Sequence, residues 1–467
     1  SKNYYLYFGG IFMKTRMNFK DEFYQKLKLL VLPIAIQNFM LALVSATDAI
    51  MLGWIDQTSL SAVSLAGQVQ FVLSLFISGI AAGAGIMAAQ YWGKQDAASI
   101  EKVIPIALRT NLLFSGLFTI LAGFCPEMLM RIFTNDAALV ASGSQYLRAV
   151  ALSYVLCGIS QVYLILLKNT GHAAVSSRIS STAVVLNIIL NAILIYGLCG
   201  APALGIRGAA YATVAARVVE LIWAYLETKK PERVRILWNR LFSSAGKILS
   251  EDFWRYTLPV LAASLVWGIA YVLYSVIMGH MGSDAVAANS ITSIAKSLLS
   301  CLIRGVSGGA GVLIGNLLGA NELEKAREYG GRLSHLSIAI GIVTGGLLML
   351  ISPAIVHFAP LSDTAAEYLQ YMLLFCGLNL MAQSVNTTVL DGIFCAGGDA
   401  KFDMQGNIGA MWCFSVPLGF LAAFWLKLPV MVVYCIVNLD EIVKLPAVYH
   451  HYKKYIWVRN ITRDIED

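Results

Sequence analysis

One acidic residue stands alone in a long apolar stretch near the start of the chain. Asp48 lies among aliphatic residues and has no lysine or arginine within one helical turn. An ionisable side chain inside hydrocarbon is costly, so it marks a functional position by default. Such a carboxylate can take up and release a proton near neutral pH, or hold Na⁺ among oxygen donors. We therefore predict that Asp48 binds one of these cations; the alternative is a structurally paired aspartate near the outer rim.

A second set of charges lies in the later half of the chain. Lys296 and Arg304 are eight residues apart, which places both on one face of a helix. Acids that could neutralise them occur in later apolar segments, namely Asp391, Asp440 and Glu441. Depth along the predicted helices puts Lys296 nearest Asp440 and Arg304 nearest Asp391. We predict ion pairs, with Arg304–Asp391 as the main contact; the alternative is a charged cavity wall that contacts a bound solute.

Long apolar helices must carry these residues. Of 467 residues, 58% are hydrophobic and 13% are charged, and the mean hydropathy is +0.69. Soluble proteins carry about 25% charged residues, so we predict an all-α integral membrane protein. Twelve runs are long enough to cross a bilayer, near 27–52, 60–92, 103–124, 143–167, 179–200, 206–227, 257–280, 285–318, 333–357, 366–396, 406–426 and 429–449. Pro33 and Pro259, near two of the predicted starts, begin a helix or bend it.

The beginning of each half of the chain repeats at a constant offset of 226 residues. Residues 32–98 align on 258–324 without a gap and with thirteen identities, and the run at 83–85 recurs as Gly-Ala-Gly at 309–311. Because each half holds six predicted spans, each begins and ends on the same side of the membrane. The halves are then parallel repeats, an architecture common among secondary transporters. We predict two six-helix lobes with a substrate cleft between them.

Lysine and arginine predict the orientation in the membrane. They cluster before the first span, between the halves and after the last span, whereas the predicted outer loops hold Arg131, Arg207 and Lys427. Both termini are therefore predicted to face the cytoplasm of a multi-pass plasma-membrane protein. The predicted segments are a cytoplasmic amino-terminal segment (1–26), an N-lobe (27–228), a basic cytoplasmic linker (229–256), a C-lobe (257–449) and a cytoplasmic tail (450–467).

Several protein classes do not fit this sequence. The net charge of +7 is accounted for by the orientation signal, so no nucleic-acid partner is predicted. The eight cysteines form no CxxC pair and lie scattered in apolar spans, so no disulfide framework is predicted, and no metal site beyond a possible Na⁺ at Asp48. An intramembrane enzyme would need a clustered catalytic set, and none appears. The predicted partners are membrane lipid and a small-molecule substrate. No cofactor is predicted, and the protein is predicted to be a monomer.

Short motifs in order along the chain resemble those of one transporter family. They are Pro33, Asp48-Ala-Ile-Met-Leu-Gly53, Gln90-Tyr-Trp-Gly93, Leu167-Lys-Asn-Thr-Gly171, Asn187-Ile-Ile-Leu-Asn191, Gly205-Ile-Arg-Gly208-Ala-Ala-Tyr-Ala-Thr213 and Gly397-Gly398-Asp399-Ala-Lys401. The chain resembles the MATE (multidrug and toxic compound extrusion) transporters over nearly its whole length. The resemblance implies twelve helices in two lobes, no ATP-binding domain, and export driven by inward flow of H⁺ or Na⁺. The lack of a GxxxxGK[ST] loop agrees with this.

The resemblance also implies an ion-coupling site. Asp48 matches the acid of the first helix, Asn187 a conserved asparagine and Thr213 a conserved hydroxyl. Asn191 departs from the pattern, since several relatives carry an aspartate there, so this chain has one titratable group fewer for a two-carboxylate relay in the N-lobe. Gln161 is a weaker candidate for the same cluster. For the amides, a structural hydrogen bond between helices is the alternative reading.

The resulting prediction is an ion-coupled antiporter that exports small organic, amphipathic or cationic compounds by alternating access. Some relatives carry an acid in helix seven, but that helix here has none, and Tyr271 and Tyr274 are its predicted cavity-facing residues. Lys296 and Arg304 keep an alternative open, namely a flippase or exporter of a lipid-linked or anionic substrate.

Overall fold

The computed structural model describes residues 21–464 except 56, 232, 237, 239, 240, 242–245 and 360, without the side chains of 45, 46, 49, 53 and 57. Within these residues the chain is helical and has no strand. Ten segments are long and apolar enough to cross a membrane. The segment Ala137–Tyr196 contains two of the helices, because the chain turns at Gly171 (φ 81°). A broken helix after Pro429 completes twelve spanning units in the described part of the chain.

The first six helices form the N-lobe. They are α1 (Glu22–Gly53), α2 (Gln57–Gly93), α3 (Ala97–Phe124), α4 (Ala137–Leu167), α5 (Ala173–Tyr196) and α6 (Ile206–Thr228), with a short helix (Pro126–Arg131) between α3 and α4. Side-chain caps begin several of them. Asp96 accepts a hydrogen bond from the backbone N–H of Ser99 at 3.0 Å, and Asp136 accepts one from Ala138 at 2.8 Å.

The remaining helices form the C-lobe. They are α7 (Lys247–Gly279), α8 (Ser283–Gly319), α9 (Leu323–Phe358), α10 (Asp363–Thr387), α11 (Ala400–Asn407), α12a (Val430–Val437) and α12b (Asp440–Tyr452). Helix α10 continues into a π-helical segment, Thr388–Phe394, and α11 continues through Ile408–Ser415, Val416–Phe420 and Leu421–Trp425. Residues 453–464 follow α12b as a tail without regular helix.

Two features differ from the sequence-based expectation, and one of the two alternatives for Pro33 and Pro259 is excluded. Helix α7 begins at Lys247, within the predicted linker, so Pro259 lies inside the helix. Pro33 likewise lies inside α1, so neither proline begins its helix. The predicted span 429–449 is broken at Asn438, where the backbone leaves helical geometry (φ −102°, ψ 11°). The break creates a new helix N-terminus, where the partial positive charge favours acidic residues such as Asp440 and Glu441.

The two lobes exchange the first halves of their first helices. Phe23 and Leu27 of α1 are buried in a core built mainly from α8, α9 and α10 of the C-lobe. Their repeat equivalents, Leu249 and Phe253 of α7, are buried in a core built mainly from the N-lobe. Burial of each large apolar side chain contributes roughly 1.5–3 kcal/mol. The sequence repeat therefore corresponds to a reciprocal exchange that ties the lobes together.

Contacts between the lobes concentrate at the end of the molecule where the tail lies, which we call the closed end. There Gly93 at the end of α2 packs against the backbone of Asn316 on α8, and Gly319 at the end of α8 packs against the backbone of Gln90 on α2. The two contacts are related by the repeat, and glycine permits this close approach of helices. In the opposite half of α2, a Cβ added at Gly67 would meet nothing within 4 Å.

Candidate functional site

A chain of hydrogen bonds joins three helices of the N-lobe. Asp48 Oδ1 on α1 accepts a hydrogen bond from Asn191 Nδ2 on α5 at 2.5 Å. Asn191 Nδ2 also donates to Asn187 Oδ1 at 3.2 Å, and Asn187 Nδ2 donates to Thr213 Oγ1 on α6 at 3.3 Å. The four residues predicted for the ion site are therefore direct neighbours.

Helical spacing explains how these side chains meet. Asn187 and Asn191 are four residues apart, so they project from one face of α5. Leu52 and Ile195, one turn further along α1 and α5, are buried in the N-lobe core and fix the relative position of the two helices. Asp48 itself is half-buried, so ions can reach it more readily than the buried amides.

The cluster can offer oxygen ligands to a cation. Buried polar atoms normally have hydrogen-bond partners, but the Oδ1 of the buried Asn191 has none among the described residues. Carboxylate, amide and hydroxyl oxygens are the ligand types that hard cations prefer, and Asp48, Asn187 and Thr213 supply the rest of such a set. A proton on Asp48 would satisfy the same negative charge.

Gln161, predicted as a weaker member of the cluster, is not part of this chain of hydrogen bonds. It is half-buried on α4 and takes part in none of these contacts. Tyr146 on the same helix is buried and lies within electrostatic range of Asp48. Tyr146 was not predicted from the sequence, because tyrosines of membrane proteins lie mainly in interfacial belts and give no signal of their own.

A larger charge network occupies the C-lobe, centred on Lys444 of α12b. Its Nζ lies 3.2 Å from Glu441 Oε1 and 3.9 Å from Asp440 Oδ2. It also donates to Asn407 Oδ1 on α11 at 3.2 Å, and Asn407 Nδ2 donates to Asp403 Oδ1 at 3.1 Å. Lys444, Asp440 and Asp403 are all buried. Buried charges persist when they are paired and hydrogen-bonded, as they are here.

Two asparagines of α10 connect this network to the rest of the lobe. Asn386 Nδ2 donates to Glu441 Oε2 at 2.8 Å and to the backbone oxygen of Glu441 at 2.6 Å. Lys296 Nζ on α8 donates to Asn379 Oδ1 at 2.9 Å, and Asn379 Nδ2 donates to the backbone oxygen of Asn438 at 2.6 Å. The amide of Asn379 thus donates to the backbone carbonyl of Asn438, the residue at the break in α12.

The predicted ion pairs of Lys296 and Arg304 are not formed. Arg304 and Asp391 lie within electrostatic range of each other but make no ion pair, and both residues are exposed. Neither side chain is enclosed by the described part of the protein, so burial does not force a direct contact between the two charges. Lys296 hydrogen-bonds a neutral amide, while Asp440 has Lys444 as its near cation. The local i, i+4 spacing within α12b makes that lysine the nearer partner.

Helix α7 presents one tyrosine to open space and buries the other. Tyr271 is 42% exposed and stacks on Trp267 with 5.6 Å between ring centroids, and Phe71 of the N-lobe lies 6.5 Å away. Tyr274 is buried in the C-lobe, within electrostatic range of Asp440. Tyr274 is also the repeat equivalent of Asp48. The two lobes therefore carry different chemistry at equivalent positions.

Two charges that organise the C-lobe network, Lys444 and Asp403, were not predicted from the sequence. Lys444 lies three and four residues after Glu441 and Asp440, a spacing typical of helical ion pairs. Asp403 lies four residues before Asn407, and this spacing predicts one shared helix face in the same way. Both residues fall near predicted span ends, where charges are common and do not by themselves indicate a buried site.

Twelve spanning helices in two repeated lobes, with ionisable side chains buried in each, define a multi-pass membrane transporter. The profile of the family described as MatE matches the chain twice, over residues 33–193 and 259–421. The two matches begin 226 residues apart, the offset of the repeat. The chain belongs to the MatE family.

Several known proteins are similar to this chain over most of their length. "Probable multidrug resistance protein YoeA" of Bacillus subtilis (strain 168) is 21% identical, with 97% of this chain and 98% of the relative covered. "Probable multidrug resistance protein NorM" of Agrobacterium fabrum is 24% identical, covering 82% and 83%. A solved structure described as the outward-facing conformation of a multidrug resistance MATE family transporter of the MOP superfamily has a TM-score of 0.83 at 20% identity, covering 92% and 95%. This last similarity shows the fold.

Proposed function

We propose that this chain is an antiporter in which inward flow of H⁺ or Na⁺ drives export of small organic, amphipathic or cationic compounds. The observation that carries the proposal is the hydrogen-bonded chain from Asp48 through Asn191 and Asn187 to Thr213. It joins a half-buried carboxylate directly to α5 and, through the two asparagines, to α6 of the same lobe. The relatives' names, which include probable multidrug resistance proteins, support the substrate class.

The contact between Asp48 and Asn191 offers a way to couple an ion to a change of shape. A cation or proton that reaches Asp48 competes with Asn191 Nδ2 for the carboxylate oxygen. Loading the ion therefore weakens the hydrogen bond that ties α1 to α5. Because the first half of α1 is packed into the C-lobe, a shift of α1 in the N-lobe also acts on the contact between lobes. An ion can move such an equilibrium only through unequal affinity for the two states.

Alternating access is supported by the uneven contact between the lobes. They pack closely at the closed end, while the exposed Arg304, Asp391 and Tyr271 face open space. We place the protein in the plasma membrane, and the lysine and arginine distribution supports an orientation with the closed end in the cytoplasm. In this orientation the cleft opens outward. In this proposal the protein acts as a monomer in the lipid bilayer and uses no cofactor.

A second candidate is an exporter or flippase of an anionic or lipid-linked substrate. It is favoured by one observation, the exposed guanidinium of Arg304, which forms no ion pair with any residue that the structure describes. A free cation in the cleft would repel simple lipophilic cations and attract a carboxylate or phosphate. Asp391 lies within electrostatic range and offsets part of this charge. We therefore keep the cation exporter as the first candidate.

Transport by purified protein in liposomes tests both candidates. Movement of ethidium, a cation, and of carboxyfluorescein, an anion, is followed under a proton gradient, a sodium gradient, or neither. The proposal predicts ethidium movement driven by one of the two gradients and abolished when that gradient is collapsed. Gradient-driven movement of carboxyfluorescein alone supports the second candidate. If neither dye nor a fluorescent lipid moves under either gradient, the antiporter proposal is wrong.

A further inference from the structure

The carboxy-terminal segment 457–464 runs across the closed end and is anchored on the C-lobe. Trp457 is fully buried in the core that contains Leu333 of α9. Arg459 donates to the carbonyl oxygen of Gly397 at 2.8 Å and to that of Gly398 at 2.7 Å. A buried tryptophan and two charge-assisted hydrogen bonds make a firm attachment to one lobe.

Gln90 of the N-lobe holds the same segment from the other side. Its side chain is completely buried, and Oε1 accepts a hydrogen bond from the backbone N–H of Ile461 at 2.8 Å. Its Nε2 donates to the backbone oxygen of Ala396 at 2.7 Å. Because Ala396 belongs to the C-lobe, one N-lobe side chain links both the tail and the opposite lobe.

Charged contacts extend this grip along the tail. Lys94 Nζ of the N-lobe donates to the backbone oxygen of Arg463 and to Asp464 Oδ1, both at 2.7 Å. Arg463 Nε lies 2.6 Å from Oδ2 of Asp252, a buried carboxylate near the start of α7. The tail thus provides the cation that pairs with the buried Asp252 and the oxygen acceptors for Lys94 of the N-lobe.

The tail lies between two turns that the repeat makes equivalent. Gln95 and Asn321 end α2 and α8 with left-handed backbone conformations, φ 64° and φ 61°. Both turns line one polar cavity of about 550 Å³ together with Asn460 and Thr462 of the tail. Asn460 Nδ2 also donates to the backbone oxygen of Gly319 at 3.4 Å. Each half of the repeat contributes one such turn, whereas the tail occurs once. The contact of the tail with both turns is therefore not itself repeated in the two lobes.

We propose that residues 457–464 form a latch that holds the closed end shut and must release the N-lobe before the lobes separate there. The C-lobe anchor at Trp457 and Arg459 stays in place during opening. The contacts to Gln90 and Lys94 break, because they cross the interface that has to widen. The latch thereby sets the ratio of closed to open molecules. This role does not depend on which substrate or ion the protein carries.

A distance measurement between spin labels on the two lobes tests the latch. Labels are attached at Ala98→Cys and Glu324→Cys, exposed repeat-equivalent positions at the starts of α3 and α9. The accessible native thiols are first replaced, namely Cys125, Cys157, Cys199, Cys413 and Cys435. In nanodiscs the full chain should give one short, narrow distance. Deletion of 460–467, which spares Trp457 and Arg459, should raise the longer-distance fraction about tenfold, equivalent to about 1.4 kcal/mol.

Two further variants make the outcome decisive. Ile461→Pro removes the N–H that Gln90 accepts and should also increase the longer distance, which covers the case in which the deletion fails to fold. Lys454→Ala, an exposed change upstream of the latch, should leave the distances as in the full chain. If folded deletion and Ile461→Pro proteins both keep the narrow distance, the latch does not exist. The measurement needs no substrate or gradient, so failure of the transport assignment would not affect it.

Discussion

Asp48 and Asn191 meet across α1 and α5 with 2.5 Å between Oδ1 and Nδ2, and Asn191 keeps a buried Oδ1 without a partner among the described residues. The same amide therefore stabilises the carboxylate and presents an oxygen toward which a cation can be drawn. Its neighbour Asn187 passes the connection on to Thr213. This relationship links one acidic side chain to three helices, and it is the basis of the coupling proposal.

Removal of the lysine at the centre of the C-lobe network should destabilise the protein. Lys444→Met leaves the buried Asp440 and its neighbour Glu441 without their closest cation. Breaking one partner of a buried ion pair typically costs about 3–5 kcal/mol. Thermal unfolding in detergent should show a clear loss of stability. Lys401→Met, at an exposed lysine of α11, is the matched control and should unfold like the unmodified protein. Equal melting temperatures for both variants would contradict the structural role of Lys444.

The exposed Arg304 should influence substrate choice more than stability. Arg304→Gln removes an exposed charge that forms no ion pair among the described residues, so the free energy of unfolding should change by less than about 0.5 kcal/mol. Transport of ethidium should rise relative to that of carboxyfluorescein, because repulsion of the cation is relieved. Lys296→Met, which breaks the bond to Asn379, should instead lower stability or transport of every substrate alike. Selective loss of anionic substrates in Lys296→Met would contradict this division of roles.

Close helix crossing at the closed end predicts a strong effect of a single methyl group. Gly319→Ala would force its Cβ into the backbone of Gln90, so the helices must move apart. Overpacking of this kind costs about 1–3 kcal/mol, and the spin-label distance between the lobes should lengthen. Gly67→Ala adds the same methyl group to α2 where nothing lies within 4 Å. That control should be neutral or stabilising by up to about 1 kcal/mol, since alanine favours helix. A similar response of both variants would argue against tight contact at Gly319.

Acidification should loosen the ties between the lobes at the closed end. The hydrogen bond from Arg332 of α9 holds the pKa of Asp21, the cap of α1, below its usual value. Lys94 lowers the pKa of Asp464 in the same way. A lowered pKa means that the stabilisation is present above the unfolded-state value, about 3.8–4, and is lost as pH falls through the lowered one. The lobe-to-lobe distance should therefore be constant from pH 8 to 5 and lengthen below about pH 4. In Lys94→Met with Arg332→Gln this acid transition should disappear; its persistence would assign it to other groups.

The sequence predicted the architecture and the proximity of Asp48, Asn187, Asn191 and Thr213, because both rest on local, one-dimensional signals. Twelve apolar runs and a gapless repeat fix the helix count and the pairing of the halves. Asp48 stands out since no other charge is near it, and the amides at 187 and 191 share a face by helical spacing alone. What the repeat could not predict is which core each helix enters, so the exchange of the first halves of α1 and α7 appears first in the structure.

The contacts of the C-lobe charges could not be predicted from local signals of this kind. The depth of each residue along its predicted helix paired Arg304 with Asp391. Depth does not tell which side chains are exposed, and in the structure both of these are. Lys444 was not predicted as a buried charge because it falls near a predicted span end. In the structure, the break at Asn438 starts a new helix on which Lys444 is buried. The tail contacts were equally out of reach, since residues 457–464 carry no periodic pattern that predicts what they contact.

The most direct test of the central claim is export by Asp48→Asn protein in liposomes under the gradient that drives the unmodified protein. The substitution keeps the size of the side chain and removes its negative charge. Asp363→Asn, at an exposed aspartate that begins α10, is the matched control and should transport normally. We expect Asp48→Asn to fold and insert with an unchanged melting profile, and its gradient-driven ethidium export to fall at least about tenfold, as loss of one essential coupling interaction of about 1.4 kcal/mol or more requires. Export at the unmodified rate would contradict the coupling role of Asp48.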